Sequence, residues 1–374
     1  MYPDFTAEEL GFRDVLQDFL RRECGTQVVR RNHSSEGPDL TVWKGLADLG
    51  LFATCVPEAY DGLAAGLRQV VLPLEETSAA LVPGPVAETL AFTECLAEYG
   101  DDELKQRLLP RIAAGELMAT LALLDEPHHY APEDALVKAT RSEGKWLLSG
   151  RKILVPDAAA CGAMIVSAQT VDGGPVMLFV VESGAAGLSL RKHQTIDPGG
   201  RYYAIELSEV AAVPISLDGS ANRRLHQTAA WMATAQLTGI ASHALDMAVK
   251  YAGDRKQFGQ PIGAFQAIKH MCADMHVGRE MSRAASRHAG WELAAGMPDA
   301  AIAVSVAKAF AADACRSILY DCLQVHGGIG FTWEYDLHLY IKRGKYLEHA
   351  YGNATWHREA IARNAIAREA LEAA

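Results

Sequence analysis

The sequence predicts an α+β protein with an N-terminal helical domain, a middle antiparallel β barrel or sandwich, and a C-terminal helical bundle. Three observations predict it. Apolar residues recur at spacings of three and four in the last third, and helix-start signals recur in the first. The middle third switches to short apolar or alternating runs separated by Gly- and Asp-containing turns. The switches fall near residues 119 and 224, which divides the 374 residues into segments 1–118, 119–224 and 225–374. That length suits two or three domains with sizeable cores.

The elements follow in order. Thr6 with Glu9 fits a capping box opening a helix through "EELGFRDVLQDFLRREC". Further helical runs are "DLTVWKGLADLGL", "LRQVVLPLEETSAAL" and "DDELKQRLLPRIAAGE". Strand-like runs are "LMATLALL", "DALVKATRSEGKWLLSGRKILV", "CGAMIVSAQT", "PVMLFVVE" and "YYAIELSEVAAV". Then Leu237, Ile240, Ala244, Met247 and Tyr251 mark one face of a buried helix. Two more long helices follow in "AFQAIKHMCADMHVGREMSRAASRHAGWELAAG" and "DAAIAVSVAKAFAADACRSILYDCLQV", the second with Asp299 as its N-cap. A helix through "DLHLYIKRGKYLEHAY" and a C-terminal one complete the bundle.

A net charge of -11 argues against nucleic acid as a main partner, since phosphate binding needs a basic face. Seven scattered cysteines without a Cys-x-x-Cys read as buried thiols in a reducing compartment. The start, "MYPDFTAEEL", lacks a basic-then-apolar layout. No apolar run reaches the roughly 18–20 residues of a membrane span. A cytoplasmic protein is expected.

The segment "YAGDRKQFGQPIGAFQAIKH" raises the functional question. Two helical stretches are broken by Gly259-Gln260-Pro261-Ile262-Gly263, with Arg255, Gln257 and Phe258 before the break and Gln266 after it. Taken alone, Arg255 is a solvated helix arginine beside Asp254. A planar guanidinium also matches a diphosphate, and a glutamine can donate to ribose or phosphate oxygens. Gln324 with Gly327, Gly328 and Gly330 offers backbone that a ligand can approach without a Cβ clash, although such glycines also serve as helix ends.

The layout and these motifs, together with "VPEAYDGLAAG", "GDDELKQRLLPRIAAGE" and "QVHGGIGFTWEYDLHLYIKR", resemble the acyl-CoA dehydrogenase family over essentially the whole chain. The resemblance implies FAD-dependent α,β-desaturation of an acyl-CoA, with electrons passing to an electron-transfer flavoprotein. It implies that the broken stretch reaches across a subunit interface to the pyrophosphate and adenosine end of FAD. Arg255, Gln257, Phe258, Gln266, Gln324, Gly327 and Gly328 are then the cofactor contacts.

Several positions depart from the family pattern. The usual catalytic glutamate aligns with Tyr351, and its alternative site with Ala229. A neutral tyrosine is a poor base near pH 7. Glu348, one helical turn earlier, is a weak substitute candidate and reads otherwise as an exposed helix charge. The flavin-face loop reads "LLDEPHHYAPEDA", with Asp125 for the family's threonine and His128, His129, Tyr130 and Pro132 for its small residues. Neighbouring histidines in an extended loop point opposite ways, so no metal site is expected. In "GRKILVPDA", Leu154 and Pro156 replace the tryptophan and threonine that face the flavin. Proline offers neither NH nor hydroxyl.

In this pattern the chain resembles the non-catalytic member of the family's bacterial α2β2 pairs, some of which act on bulky steroid side chains. Two alternatives stand beside it. One is a self-sufficient homotetramer with a relocated base. The other is a flavin-free acyl-CoA-binding or scaffold protein.

Overall fold

The computed structural model describes residues 5–32, 35, 37–126, 130, 132–171, 173–197 and 199–372. The helices before the sheet are α1 (Ala7–Glu23), α2 (Thr26–Asn32), α3 (Leu40–Asp48), α4 (Val71–Ala79), α5 (Val86–Tyr99) and α6 (Asp102–Ala113). The strands are β1 (Ala119–Ala122), β2 (Lys138–Ser142), β3 (Lys145–Pro156), β4 (Ala163–Thr170), β5 (Val176–Glu182), β6 (Leu188–Lys192) and β7 (Tyr202–Pro214). Then come α7 (Ser220–Asp254), β8 (Lys256–Gln257), β9 (Gln260–Pro261), α8 (Gln266–Ala294), α9 (Ala300–His326), α10 (Leu337–His349) and α11 (Ala354–Glu372). The helical, sheet and helical order is the expected fold class.

The capping box is present. Thr6 N–H donates to Glu9 Oε2 at 2.6 Å, and Glu9 N–H to Thr6 Oγ1 at 3.2 Å. Asp299 takes the N-cap position of α9 but makes no side-chain cap bond. The sequence reading did not mark α2, α5 or β6. The omission of α5 has a physical cause: eleven of its fourteen residues are buried, so it carries no polar face to set a period.

The chain packs as two compact units. One comprises Met1–Leu20, Val71–Leu81 and Ala230–Ala374; the other comprises Arg21–Val70 and Val82–Ala229.

In the second unit the pairings β4–β2–β3–β7–β5 return to β4 and close a barrel, with β1 on β4 and β6 on β7. The sheet is mixed rather than antiparallel, because β1 and β2 both pair with β4 in parallel. Parallel neighbours need an intervening crossover, and here β3 lies between β2 and β4 in the chain. Inward residues such as Leu148, Val166, Phe179 and Ile205 fill the barrel core. Helix α5 is tied to the barrel by Thr89, whose hydroxyl donates to Ala119 O at 2.8 Å and accepts from Ala119 N–H at 3.1 Å.

In the first unit, close helix approach needs missing side chains. A Cβ on Gly239 of α7 would lie 2.1 Å from Glu75 O of α4. One on Gly290 of α8 would lie 2.6 Å from the Trp231 ring, whose Nε1–H donates to Ser286 O at 2.9 Å. Glu75, buried on α4, meets Arg287 at 3.3 Å and Arg283 at 3.5 Å from α8.

Candidate functional site

The broken stretch is a hairpin. Helix α7 stops at Asp254, and β8 pairs with β9 with Gln257 opposite Gln260. The two residues between them, Phe258 and Gly259, have φ of 51° and 80°. Two positive φ values are what a type I′ turn requires, and asparagine-glycine is its usual occupant. An aromatic residue there is strained. Phe258 is also 91% exposed, and its own chain gives it one edge-on neighbour, Phe265, at 6.1 Å. Strain and exposure on one apolar residue point to a role outside its own fold.

Polar residues flank this tip in the chain, and another lies near the end of α9. Arg255, Gln257, Gln266 and Gln324 are exposed, and their side chains make no hydrogen bond or ion pair among the described residues. Arg255 is not paired with Asp254. Helix α9 ends at Gly327, whose φ of 61° and ψ of -141° suit glycine alone. A Cβ on Gly327 or Gly328 would meet nothing within 4 Å, so the backbone is open to an approaching ligand. Gln324, Gly327 and Gly328 lie within five residues of chain at this helix end. The exposed donors, a guanidinium and bare backbone fit the diphosphate arm of a dinucleotide.

The positions expected to face a flavin ring do not fit one. Asp125 is buried and its Oδ2 lies 2.8 Å from Lys152 Nζ, which also donates to Ser167 Oγ at 2.9 Å. Lys152 is fully buried, and burial lowers its pKa to about 8 against the pull of Asp125. Close by in the same unit, His226 Nδ1 lies 3.0 Å from the Tyr130 hydroxyl, and the rings meet edge-on at 5.3 Å. Burial, helped by the charge of Lys152, lowers His226 to about 3, so its imidazole is neutral. Leu154 has a φ of 51° at a bulge in β3. Pro156 is buried, and its carbonyl accepts from Thr120 Oγ1 at 2.7 Å. Asp125 Oδ2, Lys152 and Ser167 bind one another, as do Tyr130 and His226, while Asp125 Oδ1 is buried with no hydrogen-bond partner among the described residues. Pro127, His128 and His129 lie outside the described residues. Among those described, no group of three or more His, Cys, Asp and Glu side chains could hold a metal ion.

The base positions hold no free carboxylate. Tyr351 and Gly352 form a turn with φ of 54° and 96°. Lys308 Nζ donates to the carbonyls of Glu348 at 3.2 Å and Gly352 at 2.8 Å. His357 Nε2–H donates to Tyr351 O at 3.0 Å, and its Nδ1 faces Ser305 Oγ at 3.2 Å. Burial lowers Lys308 to about 7 and His357 to about 3. Glu348 is buried rather than exposed, because Arg316 and Lys345 each hold one of its oxygens at 3.0 Å. Ala229 is buried in α7 and carries no group. Beside it, Thr228 reaches Glu94 at 3.4 Å, but Glu94 is bound through Oε1 by Arg224 at 2.9 and 3.0 Å. The sequence reading missed Lys152, Glu94, Lys308 and His357. Only proximity in the fold reveals them.

Comparison with known proteins shows the family. Residues 6–116 match the family model for the acyl-CoA dehydrogenase N-terminal domain, and residues 220–366 that for its C-terminal domain. A Mycobacterium tuberculosis relative, acyl-CoA dehydrogenase FadE34, is 32% identical over 92% of this chain.

The chain belongs to the acyl-CoA dehydrogenase family.

It spans 46% of the length of FadE34. An acyl-CoA dehydrogenase of Bacillus subtilis is 30% identical over 91% of this chain and 93% of its own. Among solved structures, a variant of the Tcur3481–Tcur3483 steroid ACAD superposes with a TM-score of 0.91 at 29% identity, covering 97% of this chain and 99% of that one. The ChsE4–ChsE5 complex from Mycobacterium tuberculosis gives 0.90 at 26% identity, covering 98% and 99%. Acyl-CoA dehydrogenases are FAD-dependent oxidoreductases. Among the described residues no helix is long and apolar enough to cross a membrane.

Proposed function

We propose that this chain is the flavin-completing subunit of a heteromeric acyl-CoA dehydrogenase, most simply an α2β2 tetramer. Arg255, Gln257, Phe258, Gln266, Gln324, Gly327 and Gly328 clamp the adenosine and diphosphate end of an FAD. A homologous partner chain supplies the isoalloxazine pocket and the glutamate base. FAD, when bound, accepts the β-hydrogen of the acyl-CoA as hydride. An electron-transfer flavoprotein is the electron acceptor this reading implies.

One observation carries it: among the described residues the nucleotide-facing side chains are open and unpartnered, while at the ring-facing positions Asp125 Oδ2, Lys152 and Ser167 bind one another and Tyr130 meets His226. The comparisons lend support. Two structural neighbours carry two-component names, and FadE34 has more than half its length left over beyond the region this chain matches. One neighbour is called a steroid ACAD, and a bulky, steroid-like acyl-CoA is the substrate class we favour. Seven free cysteines suit the reducing cytoplasm.

The test is the visible spectrum and flavin content of the chain purified alone from riboflavin-fed cells. A colourless protein is expected, gaining flavin and dehydrogenase activity when joined by a glutamate-bearing homologue. A yellow protein with equimolar FAD would overturn the reading in favour of a self-sufficient homotetramer. No flavin even beside the homologue would favour a scaffold.

A further inference from the structure

The two segments that carry the open donors are far apart in sequence, yet one side chain touches the supports of both. His326 is the last residue of α9 and is 4% exposed. Its ring stacks on Tyr251 of α7, with centroids 4.5 Å apart and planes at 28°. Tyr251 O accepts from Arg255 N–H at 2.8 Å, so the place of Tyr251 sets where the hairpin begins. On the other side, the Tyr335 ring lies 4.8 Å away, and its hydroxyl is 2.8 Å from His326 Nε2. Nδ1 lies 2.7 Å from Cys322 O. A carbonyl can only accept, so Nδ1 carries the proton, and Nε2 of the neutral ring accepts from Tyr335 O–H. The glycine turn folds onto the same residue: a Cβ on Gly330 would lie 3.1 Å from His326 Cβ.

We infer that His326 is the positioning residue of the nucleotide-facing surface, pinning the Arg255–Phe258 hairpin and the Gln324–Gly328 turn in one fixed arrangement. The inference rests on the reading that these segments together receive the adenosine diphosphate end of FAD. Stacking alone fixes the plane of the ring but not its flip, since a half-turn about Cβ–Cγ restores the same plane with the two edges exchanged. Two hydrogen bonds on opposite ring nitrogens remove that freedom, and they are directed at the two chain segments that flank the glycine turn. A phenylalanine would fill the same volume and keep the stack while losing both directional bonds. Volume and direction can therefore be separated by one substitution.

The test uses amide hydrogen exchange on the full chain, with His326→Phe and Tyr335→Phe beside wild type. For His326→Phe, exchange in residues 255–265 and 327–335 should rise together by roughly thirtyfold, the scale of two lost net hydrogen bonds, with the rest of the chain unchanged. Tyr335→Phe should produce a smaller rise in both segments. A rise in one segment alone, or an equal rise everywhere, overturns the inference. A second readout is the rate of FAD release from the flavin-loaded assembly, followed by flavin fluorescence, with Arg255→Ala as control. His326→Phe should speed release on the order of tenfold. Unchanged release in Arg255→Ala would refute the reading of the surface itself. Faster release in Arg255→Ala with none in His326→Phe would refute the positioning role alone.

Discussion

Asp125 and Lys152 show how much one residue can hide from a sequence. The replacement of a threonine by Asp125 was legible as a departure. Its partner was not, because twenty-seven residues separate the two in the chain. The pair is fully desolvated, and removing one member of such a pair typically costs about 3–5 kcal/mol. Asp125→Ala is expected to destabilise the chain by about 3 kcal/mol near pH 6, where Lys152 must give up its proton to stay buried. The loss should shrink by pH 9, above the pKa of about 8 that burial imposes on the lysine. Paired with Lys152→Met, the same substitution should recover most of the stability. Urea unfolding at both pH values checks this, and a double variant as weak as the single one would contradict it.

At the scale of elements, the sequence told most where local chemistry decides the structure. The capping box at Thr6 depends on residues three positions apart and is present, whereas the break expected at Gly259–Gly263 begins earlier, because α7 stops at Asp254 and residues 256–257 already pair in the hairpin. Helix α5 was not legible, because a helix buried all round loses the alternation of polar and apolar faces that a period needs. The hairpin between β8 and β9 gives the sharpest element-level prediction. Phe258 holds a left-handed φ that asparagine adopts with little strain. Phe258→Asn should therefore leave the melting temperature unchanged or raise stability by up to about 1 kcal/mol, while FAD is retained less well by the assembly. Loss of both stability and flavin would mean that Phe258 is a packing residue after all.

Across the whole molecule, the change of element type near residues 119 and 224 was readable from period alone. What packs with what was not, since each compact unit draws on separated stretches of chain. The parallel pairings of β4 belong to the same class of hidden fact. The buried histidines set a molecule-wide response to acid. His226 and His357 both fall from 6.5 to about 3 in the folded chain. Between those values the unfolded chain binds more protons, so stability is present above about pH 6.5 and is lost as the pH falls toward 3, by roughly 1.4 kcal/mol per pH unit for each histidine. Glu75 and Glu94, raised by burial, act in the opposite sense above their ordinary range. The comparison of wild type with His226→Phe isolates one proton: their stability difference should change with pH below 6.5 and be flat above it, and a flat difference throughout would contradict the neutral, buried ring.

The hairpin that carries Phe258 is bent before anything grips it. Its turn is closed by its own backbone pairing, so its shape is settled when the chain folds. On the proposed heteromeric reading, docking asks for no refolding of this arm, and the association step is left to shape match and the release of water from one exposed ring. On that reading, a preformed finger of this kind accepts or rejects a companion surface as it stands, which makes it an arbiter of which chains can pair.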